Sequence, residues 1–164
     1  MLNRFFLHFA LLTALVFSGQ TAIAAGSENV SSTATARAPE NPNYVAGKRA
    51  IEGGNWQAAI DAFNSVVAKD PGNANAHNFL GYAYRRSGQL EQAFRHYEEA
   101  LRLDPKHRGA HEYIGETYLL ANNLAKAEEH LRALDRLCTF GCEEYSDLKK
   151  AVANFKQKEK AASK

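Results

Sequence analysis

Residues Ala74–His107 read ANAHNFLGYAYRRSGQLEQAFRHYEEALRLDPKH, and this stretch decides the fold. Leu80, Gly81 and Tyr84 recur at helical spacing, and so do Ala93, Tyr97 and Ala100. Each set therefore marks one face of an amphipathic helix. Ser87-Gly88 separates the two as a turn. Gly81 and Ala93 have almost no side chain, so the pattern predicts close approach of the helices where these residues meet. Asp104-Pro105 ends the second helix, because proline lacks an amide donor and restricts the residue before it.

The same pattern recurs 34 residues away on both sides. Gly47, Gly81 and Gly115 are in step, as are Ala59, Ala93 and Ala127, and the large apolar Phe63, Tyr97 and Leu131. Gly54, Gly88 and Asn122 mark the inner turns, where a left-handed residue is needed. Trp56, Leu90 and Leu124 follow each turn by two residues. Pro71 and Pro105 stop two of the hairpins; Thr139 stands at the third position.

A helix–turn–helix unit of this period resembles the tetratricopeptide repeat. The central copy carries L-G-x-x-Y, then A-x-x-x-Y-x-x-A, then D-P. The tryptophan usual early in the first helix is replaced by Asn43, His77 and His111, and the first copy has Ala46 and Ala50 in place of leucine and tyrosine. The resemblance implies an all-α chain, an α-solenoid of three repeats (about 40–73, 74–107 and 108–141) plus a C-terminal capping helix. Expected helices are 44–52, 56–69, 75–86, 91–102, 108–121 and 124–137. The last hairpin needs a lid, because stacked hairpins leave an apolar edge. Residues 143–157 supply one, with Tyr145, Leu148, Val152 and Phe155 on a single stripe. Residues 158–164 read as a disordered charged tail.

At the other end, Arg4 precedes a short apolar run, and Ala22-Ile23-Ala24 fits a cleavage site. Residues 1–24 thus read as a secretory signal peptide, cut before Ala25. The run is about 13 residues, short of the roughly 20 that span a bilayer, so no membrane anchor is expected after cleavage. Residues 25–39 are small, polar and aperiodic, and read as a disordered leader. This address is outside the cytoplasm, most simply periplasmic. The 20 basic and 18 acidic residues balance, so no whole-protein field favours nucleic acid.

Cys138 and Cys142 are the two cysteines, flanking Thr139-Phe140-Gly141. In an oxidising compartment such a pair is expected to be bridged, stabilising by about 2 kcal/mol because the loop is short. Two sharper readings compete: a reactive thiol at the N-terminus of the last helix, and a metal site with His111 or His130 joining the thiols. No C-x-x-C or H-E-x-x-H spacing is present, and the histidines read as solvated. Glu98-Glu99, Glu128-Glu129 and Glu143-Glu144 are neighbours in sequence, but adjacent helical residues do not face each other, so they read as solvated outer faces rather than acid–base pairs. The chain shows no catalytic constellation, and neither enzyme activity nor a cofactor is expected.

Resemblance to the family implies that the first helices line a concave groove that holds a partner segment. The expected groove residues are Tyr44, Lys48, Ile51, Asn75, Asn78, Phe79, Tyr82, Arg85, Arg86, Glu112, Tyr113, Glu116 and Leu120. Lys48, Arg85 and Arg86 form a basic spot for a partner carboxylate. One subfamily grips acidic chaperone tails with lysine, asparagine and arginine; here Tyr44, Lys48, Phe79, Gly109 and Tyr113 stand at those places, so that role is not expected. The reading is a monomeric, non-enzymatic adaptor for a protein or peptide. The alternatives are a thiol-redox or metal protein built on Cys138 and Cys142, and a scaffold that self-assembles through open hairpin edges.

Overall fold

Side chains that can accept a hydrogen bond precede most of the apolar runs, and helices begin there. Asn41, Asn55, Asn73 and Asn123 each accept from a backbone N–H of the first turn, at 2.9–3.1 Å. His107 does the same through Nδ1, which accepts from the Ala110 N–H at 3.1 Å. The computed structural model describes residues 41–163. The signal peptide (1–24) and leader (25–39) expected from the sequence lie outside them. Seven α-helices and no strand occur among the described residues: α1 Pro42–Glu52, α2 Trp56–Lys69, α3 Ala74–Arg86, α4 Leu90–Leu103, α5 Arg108–Leu120, α6 Leu124–Leu137 and α7 Glu143–Ala162. None is long and apolar enough to cross a membrane.

The inner turn is the same in all three hairpins. Gly54, Gly88 and Asn122 have φ of 68°, 81° and 59°. The following residue then donates back across the turn, Asn55 to the Ala50 carbonyl, Gln89 to Tyr84 and Asn123 to Tyr118, each at 2.8–2.9 Å. A chain that must reach the left-handed region at one point per hairpin accepts glycine or asparagine there.

The glycine column explains how each hairpin closes, and the atoms nearest Gly81 belong to the ring of Tyr97, one turn past Ala93. A Cβ built on Gly47 would stand 2.6 Å from the Phe63 ring, and one on Gly81 would stand 2.6 Å from the Tyr97 ring. Each glycine is the seat for the aromatic ring of its own second helix. In the third hairpin the matching residue is Leu131, yet the seat at Gly115 is taken by Leu148 of α7, 2.6 Å from where a Cβ would stand. Thus α7 docks on α5 through the same device that closes the first two hairpins. Leu148 and Val152 are buried, and they form one core cluster with Ala127 and Leu134.

Two further differences concern the helix ends. Helix α7 continues to Ala162, so residues 158–162, expected as disordered tail, are helical though exposed. Glu143 and Glu144 in its first turn and Lys160 in its last complement its dipole, which supports the extra turn. At the start of the described residues, α1 begins at Pro42, because proline suits the first helical position.

Candidate functional site

First helices touch one another across repeats, α3 with α5 and α5 with α7, whereas no comparable contact joins α2 to α4 or α4 to α6. The first helices therefore form the inner wall. Its residues fall into three groups. Phe79 stacks on Phe63 at 5.1 Å, and Tyr44 meets both rings edge-on at 5.5 and 5.8 Å. Tyr44 and Phe79 thus belong largely to the first core cluster, whose edge they show to solvent.

The second group is a ladder of rings and guanidiniums. Arg86 lies 4.7 Å over Trp56 and donates to the Tyr82 hydroxyl at 3.1 Å. Tyr82 and Tyr113 stand 5.2 Å apart, and Arg85 lies 5.3 and 5.6 Å from their centroids. Arg85 also pairs with Glu116 across the α3–α5 joint at 2.8 Å. This corrects the basic spot expected from Lys48, Arg85 and Arg86: Arg85 is already neutralised within the protein. The Arg85 Nε and the buried Tyr97 hydroxyl both lack a hydrogen bond of good geometry. Burial raises the pKa of that phenol, and the Arg85 guanidinium beside it pulls the other way. Trp56 comes from α2 and was not among the expected wall residues.

The third group is acidic. A pocket of about 250 Å3 opens between α3, α5 and α7, lined by Asn78, Gly109, Glu112, Glu143, Glu144 and Asp147. Glu143 and Glu144 thus face a cavity rather than only an outer surface. Asn78 is 5% exposed and its carbonyl oxygen has no partner. Glu112 is 8% exposed; burial first, then repulsion from Glu116, Asp147 and Glu144, pushes its carboxyl up to about 8, with Arg85 opposing. In the unfolded chain this group titrates near 4.5, so its cost is absent below that pH and grows as pH rises through 8. Glu112→Gln is expected to stabilise the chain by more than about 1 kcal/mol at pH 9 and scarcely at pH 4, read from denaturation midpoints.

The histidines differ from the solvated residues expected. His77 and His96 face each other Nδ1 to Nδ1 at 3.1 Å, and His111 and His130 do so at 2.9 Å. The Nε2–H of His77 donates to the Pro71 carbonyl, and that of His111 to Pro105, at 3.2 and 3.1 Å. Their Nδ1 atoms must then accept, so His96 and His130 donate. His77 and His111 occupy the missing tryptophan column, and each pairs with the residue 19 positions on. Burial, and the partner ring, lower His96 and His130 to about 4. Against an unfolded value of 6.5, stability is whole above that pH and lost as pH falls towards 4. The midpoint is expected to drop across this window by the equivalent of about 1–3 kcal/mol, and the drop to shrink in a His96→Phe/His130→Phe variant.

Of the remaining expected residues, Lys48 and Leu120 are exposed, Ile51 is half-buried, and Asn75 accepts from the His107 Nε2–H at 3.0 Å. The Cys138 and Cys142 sulfurs stand at bonding distance, 2.11 Å, with Gly141 at φ +84° between them and Phe140 fully exposed at the tip. Both His111 ring nitrogens and the Nδ1 of His130 are engaged as above. Among the described residues no group of three or more His, Cys, Asp or Glu could hold a metal ion.

A tetratricopeptide repeat family model matches residues 44–106 and 80–141, and the chain belongs to that family. A comparison with curated proteins finds no match. Among solved structures the chain is similar to the TPR2B domain of yeast Sti1 in its complex with pHsp70, with TM-score 0.65, 18% identity, and coverage of 71% of this chain and 94% of that one. It is similar to the Yersinia enterocolitica type III secretion chaperone SycD in complex with a peptide of the translocator YopD, with TM-score 0.62, 20% identity, and coverage of 74% and 92%. MamA of Desulfovibrio magneticus RS-1 is similar at TM-score 0.56 and 27% identity, covering 58% of this chain and 54% of that one.

Proposed function

We propose that the protein is a non-enzymatic adaptor, exported to the periplasm, that holds a segment of a partner protein along the wall of α1, α3 and α5. The observation that carries this reading is the wall itself, a run of half-buried aromatic side chains on the first helices. Rigid rings with edges left in solvent give contact area at little entropic cost. Structures of similar fold, the Sti1 domain in its complex with pHsp70 and SycD with a peptide of YopD, support the mode. Export is supported by the apolar run and the Ala22-Ile23-Ala24 site in the sequence.

Photo-crosslinking residues placed at Lys48 and Leu120 are expected to capture one and the same partner in the cell envelope. The same residues at Asn64 and Arg95, exposed on the second helices, are expected to capture none. Equal capture at all four positions contradicts the groove, and capture only from the cytoplasm contradicts the address.

A further inference from the structure

The acidic pocket holds a buried carbonyl oxygen, that of Asn78, which none of the described residues satisfies, and beside it the Glu112 carboxyl. Glu112, 8% exposed, makes no hydrogen bond or ion pair with the described residues. Leaving such groups unmatched in the folded state is costly unless something else meets them. Asp147 and Glu144, from another helix, face the same space. The nearby cations are spoken for: Arg85 pairs with Glu116 at 2.8 Å, and Arg108 with Glu144 at 3.6 Å.

We propose that this pocket takes an organic cation, the side chain of a lysine or arginine on the segment held in the groove, with Glu112 as counter-ion and the Asn78 carbonyl as second acceptor. The inference rests on the groove reading and reverses the expected polarity, since the sequence points to a basic spot receiving a carboxylate. A guanidinium or ammonium suits carboxylates spread over two helices. A compact metal ion does not, because the described residues offer it no cluster of three ligands. Volume agrees: about 250 Å3 exceeds the roughly 30 Å3 share of one water several-fold. Entry of a cation relieves the repulsion that Glu116, Asp147 and Glu144 exert on Glu112, so binding releases a proton near neutral pH.

The test is an NMR titration of the Glu112 carboxyl in the labelled chain. The ligands are N-acetyl-arginine methylamide, its uncharged citrulline counterpart, spermidine and calcium, at constant ionic strength. The arginine ligand is expected to lower the Glu112 pKa by about one unit or more and to move the Gly109 amide. Glu112→Gln is expected to abolish the Gly109 response. Asp147→Asn, at an exposed position, is expected to weaken it several-fold while leaving the buried pair in place. Equal responses to arginine and citrulline, or none up to the solubility limit, overturn the proposal. A stronger response to calcium overturns the choice of ligand class, and a stronger one to spermidine overturns the peptide side chain as occupant. Crosslinks from Lys48 and Leu120 do not pass through this pocket, so their persistence beside a silent Glu112 sinks this inference alone.

Discussion

Tyr97→Ala is expected to lower the free energy of unfolding by about 3–5 kcal/mol, read from guanidinium denaturation followed by circular dichroism. Tyr97 is wholly buried, and its ring fills the space that every residue but glycine would occupy at position 81. Truncation empties that seat, and two helices held by their own close approach cannot collapse to fill it. The reciprocal change is milder. Gly81→Ala forces a methyl to within 2.6 Å of the ring and is expected to cost about 1–3 kcal/mol through displacement of Tyr97. Tyr97→Phe removes a hydroxyl that makes no hydrogen bond of good geometry, and is expected to change stability by less than about 1 kcal/mol. A small loss for the alanine variant would mean that Tyr97 is not the closure.

Leu148→Ala is expected to cost about 2–5 kcal/mol. Its side chain lies in the core and occupies the seat at Gly115. The expected consequence reaches past stability. The same helix carries Glu144 and Asp147 into the acidic pocket, so loosening α7 removes one wall of it. Phe140→Ala, a few residues away but fully exposed, is the control, and is expected to stay within about 0.5 kcal/mol. Comparable losses at both positions would indicate that the docking of α7 is not the source.

Much of the fold is legible because the repeat is periodic. One turn residue per period and one glycine per period follow from the alignment of the chain with itself, and Asn122 shows that the requirement is for the left-handed turn rather than for glycine. The partner of each glycine is less legible. Spacing places small residues opposite one another, but a ring 16 positions on fills the gap, and in the third copy a leucine from outside the repeat does so. The histidine pairs leave a trace in the sequence, the same 19-residue interval in two copies, which becomes meaningful only when the missing tryptophan is treated as a position to be filled.

The wall residues divide differently. Tyr82, Tyr113 and Arg86 are legible as first-helix residues, but the pairing of Arg85 with Glu116 depends on the angle between α3 and α5. The acidic pocket depends on α7 turning its first two turns towards Glu112, more than thirty positions earlier in the chain. Local periodicity cannot report such convergence, and here it decides the polarity of the site.

The most direct measurement is the proton NMR spectrum of three glycines. Three hairpins and α7 forming one stack through a repeated seat predicts ring-current-displaced Hα resonances at Gly47 and Gly81, which lie against Phe63 and Tyr97. It predicts instead strong nuclear Overhauser contacts from Gly115 to the Leu148 methyl groups. Undisplaced resonances at Gly47 and Gly81, or a Gly115 without contact to Leu148, would contradict the stack on which the wall and the pocket both stand.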